Sequence, residues 1–316
     1  MKYSQTHKSK QIFWLLIKLT IVFICAYFIW QKLYFNKLLS LDDFKSVLIK
    51  SELFSFKNCS FLLILTFINW LLEILKWKTL VKELKNTNLI TAAKQSLASL
   101  TASLITPNRI GEYGAKALYF AKNKRIKILH LNLIGNLHQL IATVFFGVLG
   151  FVYFYKNHPI SINLSNFYSV FILICTSSIL ILVLWKLVIS KLNFFKDRIV
   201  KIKLKTHLNV ALYSFLRYLV FSHQFYFLLI LLKTNISYIG AISGISTMYL
   251  ISSFIPMLSI FDAVLKGSIA LLIFEILGVN SIIILSITTL MWVLNFVLPS
   301  IIGSYFVITF NPKKLA

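Results

Sequence analysis

The sequence predicts an all-α polytopic membrane protein, with about six full transmembrane helices and two re-entrant or split helical hairpins in an inverted repeat. Three observations predict it. The composition is 58% hydrophobic and 13% charged, with mean hydropathy +0.81, whereas soluble chains carry about 25% charged residues. Several apolar runs reach the roughly 18 residues that mark a membrane span. Two further apolar stretches are interrupted near their middles by Pro107 and Pro256. Together these exclude a soluble enzyme, a nucleic-acid-binding protein and a disulfide-stapled secreted domain.

A hydrocarbon core about 30 Å thick needs about 20 helical residues. Segments 12–31, 59–75 (extending to Trp77), 131–154, 166–189, 208–231 and 281–309 meet that length, and the last is long enough to tilt or to bend at Pro299. The basic stretch 1–10 leads into the first span without a small-residue cleavage site, so a retained helix is expected. Residues 1–316 read as one integral membrane domain. Cys25, Cys59 and Cys175 have neither disulfide-framework nor zinc spacing.

Lys and Arg number 33 against 9 Asp and Glu, a net charge of +24. The basic residues gather between apolar segments, at 1–10, 76–85, 122–127, 186–205 and 313–314, while 157–165 has none and 232–237 only Lys233. Such charge faces water and anionic headgroups on the cytoplasmic side, which predicts that both termini are cytoplasmic. Loop 32–58 must then face outward although it carries five Lys, and an amphipathic piece lying on the membrane is one way to accommodate it.

This sidedness makes 88–121 enter and leave from the cytoplasm, and 237–277 enter and leave from outside. Each reads as a proline-broken hairpin, a geometry tolerated at membrane depth only inside protein or beside a wet cavity. The two inserts also resemble each other. Pro107 is followed by Glu112 and Lys116, and Pro256 by Asp262 and Lys266, with the acid four residues before the lysine in both. The halves 1–156 and 166–310 therefore read as opposed copies, the plan of secondary transporters whose site lies at the repeat interface.

The stretch Ser103-Leu-Ile-Thr-Pro-Asn-Arg-Ile-Gly-Glu-Tyr-Gly-Ala-Lys116 resembles the transmembrane, flippase-like domain of lysylphosphatidylglycerol synthetases, found also as standalone multipass proteins. Asn69 to Trp77, the helix around Arg217, and Pro256 with its following acid extend the resemblance over nearly the whole chain. Where family members often have a Gly-rich turn after the second proline, this chain reads Pro-Met-Leu-Ser-Ile-Phe-Asp262. The resemblance implies lipid translocation in a bacterial inner membrane. It does not imply aminoacyl transfer, because the transferase domain has no counterpart in these residues.

Ionisable groups at membrane depth cost at least about 2.5 kcal/mol on the insertion scale and are expected to face the bundle interior. Arg109, Glu112, Lys116, Arg217, Asp262 and Lys266 are the candidate substrate-binding residues: arginine forks for phosphate, carboxylates for amines or hydroxyls. The helix starting near Gly111 turns free N–H groups towards the break, and Pro107, Gly111, Gly114 and Pro256 are the candidate turn and close-approach positions. Glu73 is expected as a boundary anchor beside Lys76 and Trp77, with a pocket role behind that. His138 and His223 are secondary candidates for a proton relay, each weighed against a packing contact.

No metal or ATP-binding motif is present, so no cofactor is expected and the chain does not read as an enzyme. The function expected is a flippase-like transporter moving a lipid or lipid-linked headgroup between leaflets by alternating access. Its partners would be phospholipid or polyprenyl-linked headgroups, not nucleic acid, with a second copy or a lipid or glycan synthase as protein partner. The rival readings are a membrane-embedded lipid-modifying transferase and a non-transporting scaffold, the latter expecting paired charges and no cavity.

Overall fold

In a computed structural model, residues 52–104, 106, 110–158, 200–255 and 262–310 are described. The expected spans 12–31 and 166–189 lie outside them, as do Pro107, Arg109 and Pro256. Among the described residues all regular structure is helical: α1 (Phe56–Val81), α2 (Leu89–Ser103), α3 (Ile110–Leu118), α4 (Arg125–Asn157), α5 (Leu204–Leu231), α6 (Tyr238–Phe254), α7 (Asp262–Ile276), α8 (Ser281–Trp292) and α9 (Leu298–Thr309), with a π-helical turn at Val293–Val297 joining the last two. Four of these are long and apolar enough to cross a membrane: α1, α4 with its preceding turn, α5, and the continuous 281–309 segment. Each matches an expected span, and the two proline-split inserts resolve into α2–α3 and α6–α7.

The distribution of side chains reverses that of a water-soluble bundle. Ile141, Phe145, Leu149 and Val152 form an exposed stripe along α4, and Leu208, Leu212, Leu216 and Leu219 form one along α5. Spacings of three and four put each set on one helix face. Meanwhile Gln95, Ser99, Thr101, Ser246, Thr247 and Gln224 are buried. Where the surrounding solvent is hydrocarbon, exposed leucine costs nothing and polar groups must find partners inside.

Two apolar clusters mark the ends of the bundle. One gathers the C-terminal end of α1 (Trp77, Leu80), the start of α2 (Ala92), the residues after α3 (Phe120) and the start of α4 (Leu131). Tyr119 and Phe310 rings meet there at 4.6 Å, and Thr206 at the start of α5 donates to Glu83. The basic loops around Lys82, Lys124 and Lys203 therefore share this end. The other cluster gathers Leu62 of α1, Phe154 of α4, Leu229 of α5, Ala241 of α6 and Phe274 of α7. Helices α2 and α3 thus enter from and return to the basic end, and α6 and α7 do so at the opposite end.

Helix contacts come in matching pairs. Helix α2 packs on α9 as α6 packs on α4; α3 on α4 as α7 on α8; α1 on α2 as α5 on α6; and α1 and α5 pack on each other. The α2–α9 and α4–α6 seams use small residues. A Cβ on Gly303 of α9 would lie 2.2 Å from the Leu97 carbonyl oxygen of α2, and one on Gly150 of α4 would lie 2.5 Å from Ser246 Cβ of α6. Thr101 Oγ1 also donates to the Ser300 carbonyl oxygen at 2.9 Å across the first seam.

Candidate functional site

The returning helices α3 and α7 each carry an acid in their first turn, Glu112 and Asp262. A carboxylate there meets unsatisfied N–H groups and the positive end of the helix dipole. In the first hairpin the break is organised by Thr106, whose hydroxyl donates to the Ser103 carbonyl oxygen and accepts from the Gly111 N–H, both at 2.8 Å. A Cβ on Gly111 would come within 2.8 Å of that hydroxyl oxygen, so the approach requires glycine. Gly114 makes no such approach: it is exposed, and nothing among the described residues lies within 4 Å of a Cβ placed there.

Both expected acid–lysine pairs form. Lys116 Nζ donates to Glu112 Oε1 at 2.6 Å and Lys266 Nζ to Asp262 Oδ2 at 2.7 Å. Their environments differ sharply. The Lys116 and Glu112 side chains are 2% and 4% exposed, whereas those of Lys266 and Asp262 are 32% and 38% exposed. Lys116 also donates to Asn132 Oδ1 at 2.8 Å and lies 4.4 Å from the centre of the Trp77 ring. It therefore stands behind Glu112 rather than on the cavity wall, which corrects its expected place among the binding residues.

A third charged group links α5 to α1. Arg217 of α5 donates through Nη1 to Glu73 Oε2 at 2.6 Å and through Nε to Asn69 Oδ1 at 2.9 Å, both on α1. Lys76 Nζ lies 2.7 Å from the same Glu73 oxygen. Glu73 is 4% exposed, so it is a buried partner of two cations and not a boundary anchor. The expectation failed because α1 runs on to Val81, which sets Glu73 about 12 Å inside the helix end at 1.5 Å per residue.

A layer of amides holds this centre. Asn69 Nδ2 donates to Asn295 Oδ1 at 2.6 Å, and Asn295 Nδ2 to Gln224 Oε1 at 2.7 Å. Gln224 in turn donates to Thr66 Oγ1 at 2.9 Å. Asn295 lies in the π-helical turn, and Pro299, four residues on, has no N–H to offer its carbonyl. The Trp70 indole N–H takes that place, at 3.0 Å. Pro299, expected as a point where the segment could bend as an alternative to tilting, also leaves an acceptor free beside the site.

Between the two hairpins lies a cavity of about 550 Å³, within the range of small-molecule sites. Its charged wall is Glu73, Glu112, Arg217, Asp262 and Lys266; amides Asn69, Asn136, Gln139 and Asn295 and aromatic rings including Tyr249 and Trp292 complete it. Four of the six expected binding residues thus meet at one space, Lys116 backs it, and Arg109 lies outside the described residues. His138 and His223 do not line it. His138 stacks on His207 with ring centres 5.3 Å apart, and His223 Nε2 contacts the exposed-side Tyr238 hydroxyl at 2.9 Å. The amides and the aromatic wall were missed. Their signal was the occurrence of Asn and Gln inside apolar spans, where an unpaired amide is costly.

Among the described residues no group of three or more His, Cys, Asp or Glu is placed to hold a metal ion. No protein-family model matches the chain, and no curated protein matches it.

Proposed function

We propose that the chain is a flippase-like membrane transporter that moves a lipid or lipid-linked headgroup between leaflets, working by alternating access of two opposed hairpins. The observation that carries this reading is the charged, amide-lined cavity where hairpins from opposite ends of an apolar-faced bundle meet. A headgroup crossing hydrocarbon needs its hydration replaced, and cations, carboxylates and amides on these walls are the groups that replace it. The pairwise matching of helix contacts supports an inverted repeat of 1–156 and 166–310, with the two outlying spans completing six. The basic end is the cytoplasmic one on the positive-inside rule, in keeping with a bacterial inner membrane.

The two acid–lysine pairs give the alternation a physical form. One is shut away from solvent and the other is about one-third exposed, as expected if only one hairpin is released at a time. A scaffold, by contrast, has no use for a cavity at this place.

Asp262→Asn tests the proposal. The pair it breaks is partly exposed, so the stability cost is small, while leaflet transfer of phospholipid probes in vesicles should fall at least about tenfold, the effect of about 1.4 kcal/mol. Wild-type transfer by a correctly reconstituted variant overturns the assignment. A new covalent lipid product made by the purified chain would favour the transferase reading instead.

A further inference from the structure

The chemistry of the cavity wall narrows the headgroup. We infer that the site takes a lipid phosphodiester carrying one negative charge and a neutral ring polyol, such as a glycosyl or cyclitol group. This rests on the reading of the cavity as a headgroup site and goes further by selecting one class of headgroup.

Charge comes first. Lys76, Lys116, Arg217 and Lys266 face Glu73, Glu112 and Asp262, and every one of these carboxylates has a cation within 2.7 Å. No described carboxylate at the site is left for an incoming ammonium, so an aminoacylated or ethanolamine headgroup would have to displace a lysine. Among the described residues, counting Lys76 and Lys116 that stand behind the wall against Glu73 and Glu112, the charged cluster holds four cations to three acids, a surplus of one that matches a monoanionic phosphodiester and opposes a cationic headgroup.

The uncharged wall supplies the rest. The side-chain amides of Asn136 and Gln139 each keep one N–H to donate, while the hydroxyls of Thr143, Ser252 and Thr288, whose hydrogens go to backbone carbonyls of their own helices, keep oxygens that accept; together they meet a polyol's need for both. Phe221, Tyr249 and Trp292 also line the cavity; aromatic rings suit the C–H face of a sugar ring and offer little to an acyclic glycerol. Trp292 is 5% exposed and its indole N–H has no acceptor among the described residues. Such a donor is expected to find an oxygen, and a ring hydroxyl seated against Trp292 supplies one once the closely packed wall around the N–H yields to admit it.

The full chain, purified in detergent, is offered an equimolar mixture of polyprenyl phosphoglucose, phosphatidylglycerol, phosphatidylethanolamine and lysylphosphatidylglycerol, and bound lipid is read by native mass spectrometry. Polyprenyl phosphoglucose should be favoured over each of the others by about tenfold, the worth of one or two good polar contacts. Trp292→Phe, which keeps an aromatic ring and removes the N–H, should reduce that preference severalfold. Preference for either amine-bearing lipid, equal binding of phosphatidylglycerol, or an unaltered preference in Trp292→Phe overturns the inference. Selective binding of the sugar lipid without leaflet transfer of any lipid in vesicles would leave the inference standing and remove the transport reading, so the two fail separately.

Discussion

At the residue scale, the two acid–lysine pairs share a spacing but differ in what their loss should do. Removing the Glu112 carboxylate leaves Lys116 buried, 1% exposed, with Asn132 and the Trp77 ring as its remaining contacts among the described residues. Breaking a buried pair in this way costs about 3–5 kcal/mol, most of it from the uncompensated charge. Glu112→Gln should therefore lower the thermal midpoint in detergent markedly, while Asp262→Asn should barely move it. Adding Lys116→Met to Glu112→Gln removes the stranded ammonium and should restore most of the lost stability. If the single and double variants melt together, the pair is not buried as described. The pairing itself was legible, because an acid four residues before a lysine falls on the same helix face. Which face turned towards the cavity was not: the faces of so short a helix differ only through neighbours that are distant in sequence.

At the element scale, the hairpins and the last span show how local chemistry sets long-range contacts. The α2–α9 seam depends on Gly303 lying against the Leu97 carbonyl. Gly303→Leu should separate the helices and reduce folded yield, whereas Gly114→Ala, facing open space, should be neutral or stabilising by up to about 1 kcal/mol as a glycine leaves a helix interior. Thermal unfolding of the two variants side by side tests both. Around the π-helical turn a coupling is expected. Trp70→Phe deletes the donor to the Asn295 carbonyl and should cost about 1 kcal/mol. In a Pro299→Ala background the restored amide N–H can serve the same oxygen, so the Trp70→Phe penalty should shrink, and a double-mutant cycle measures the difference. Additive effects would show that the proline has no part in presenting that carbonyl. Proline positions and hairpin limits were legible because a proline interrupts an apolar run visibly. The amide layer was not, since Asn69, Gln224 and Asn295 are 226 residues apart at the extremes and only folding brings them together.

At the scale of the whole molecule, sidedness is the property on which the opposed hairpins depend. The described structure places Lys82, Lys124 and Lys203 at one end, with the start of α2 and the end of α3, and places Lys156 and Lys233 at the other, with the start of α6 and the end of α7. Anionic lipid attracts each exposed lysine by about 1 kcal/mol, so the more basic end should settle on the cytoplasmic face. With Cys25, Cys59 and Cys175 replaced, single cysteines at Lys124, Lys156 and Lys233 can be labelled from one side of intact cells by a membrane-impermeant thiol reagent. Lys156→Cys and Lys233→Cys should react, and Lys124→Cys should react only after the membrane is opened. Two further cysteines, Ile90→Cys at the start of α2 and Ile239→Cys at the start of α6, should fall on opposite sides in the same experiment. Labelling of both from one face would mean that the hairpins enter together, and a site reached alternately from either leaflet could not be built between them.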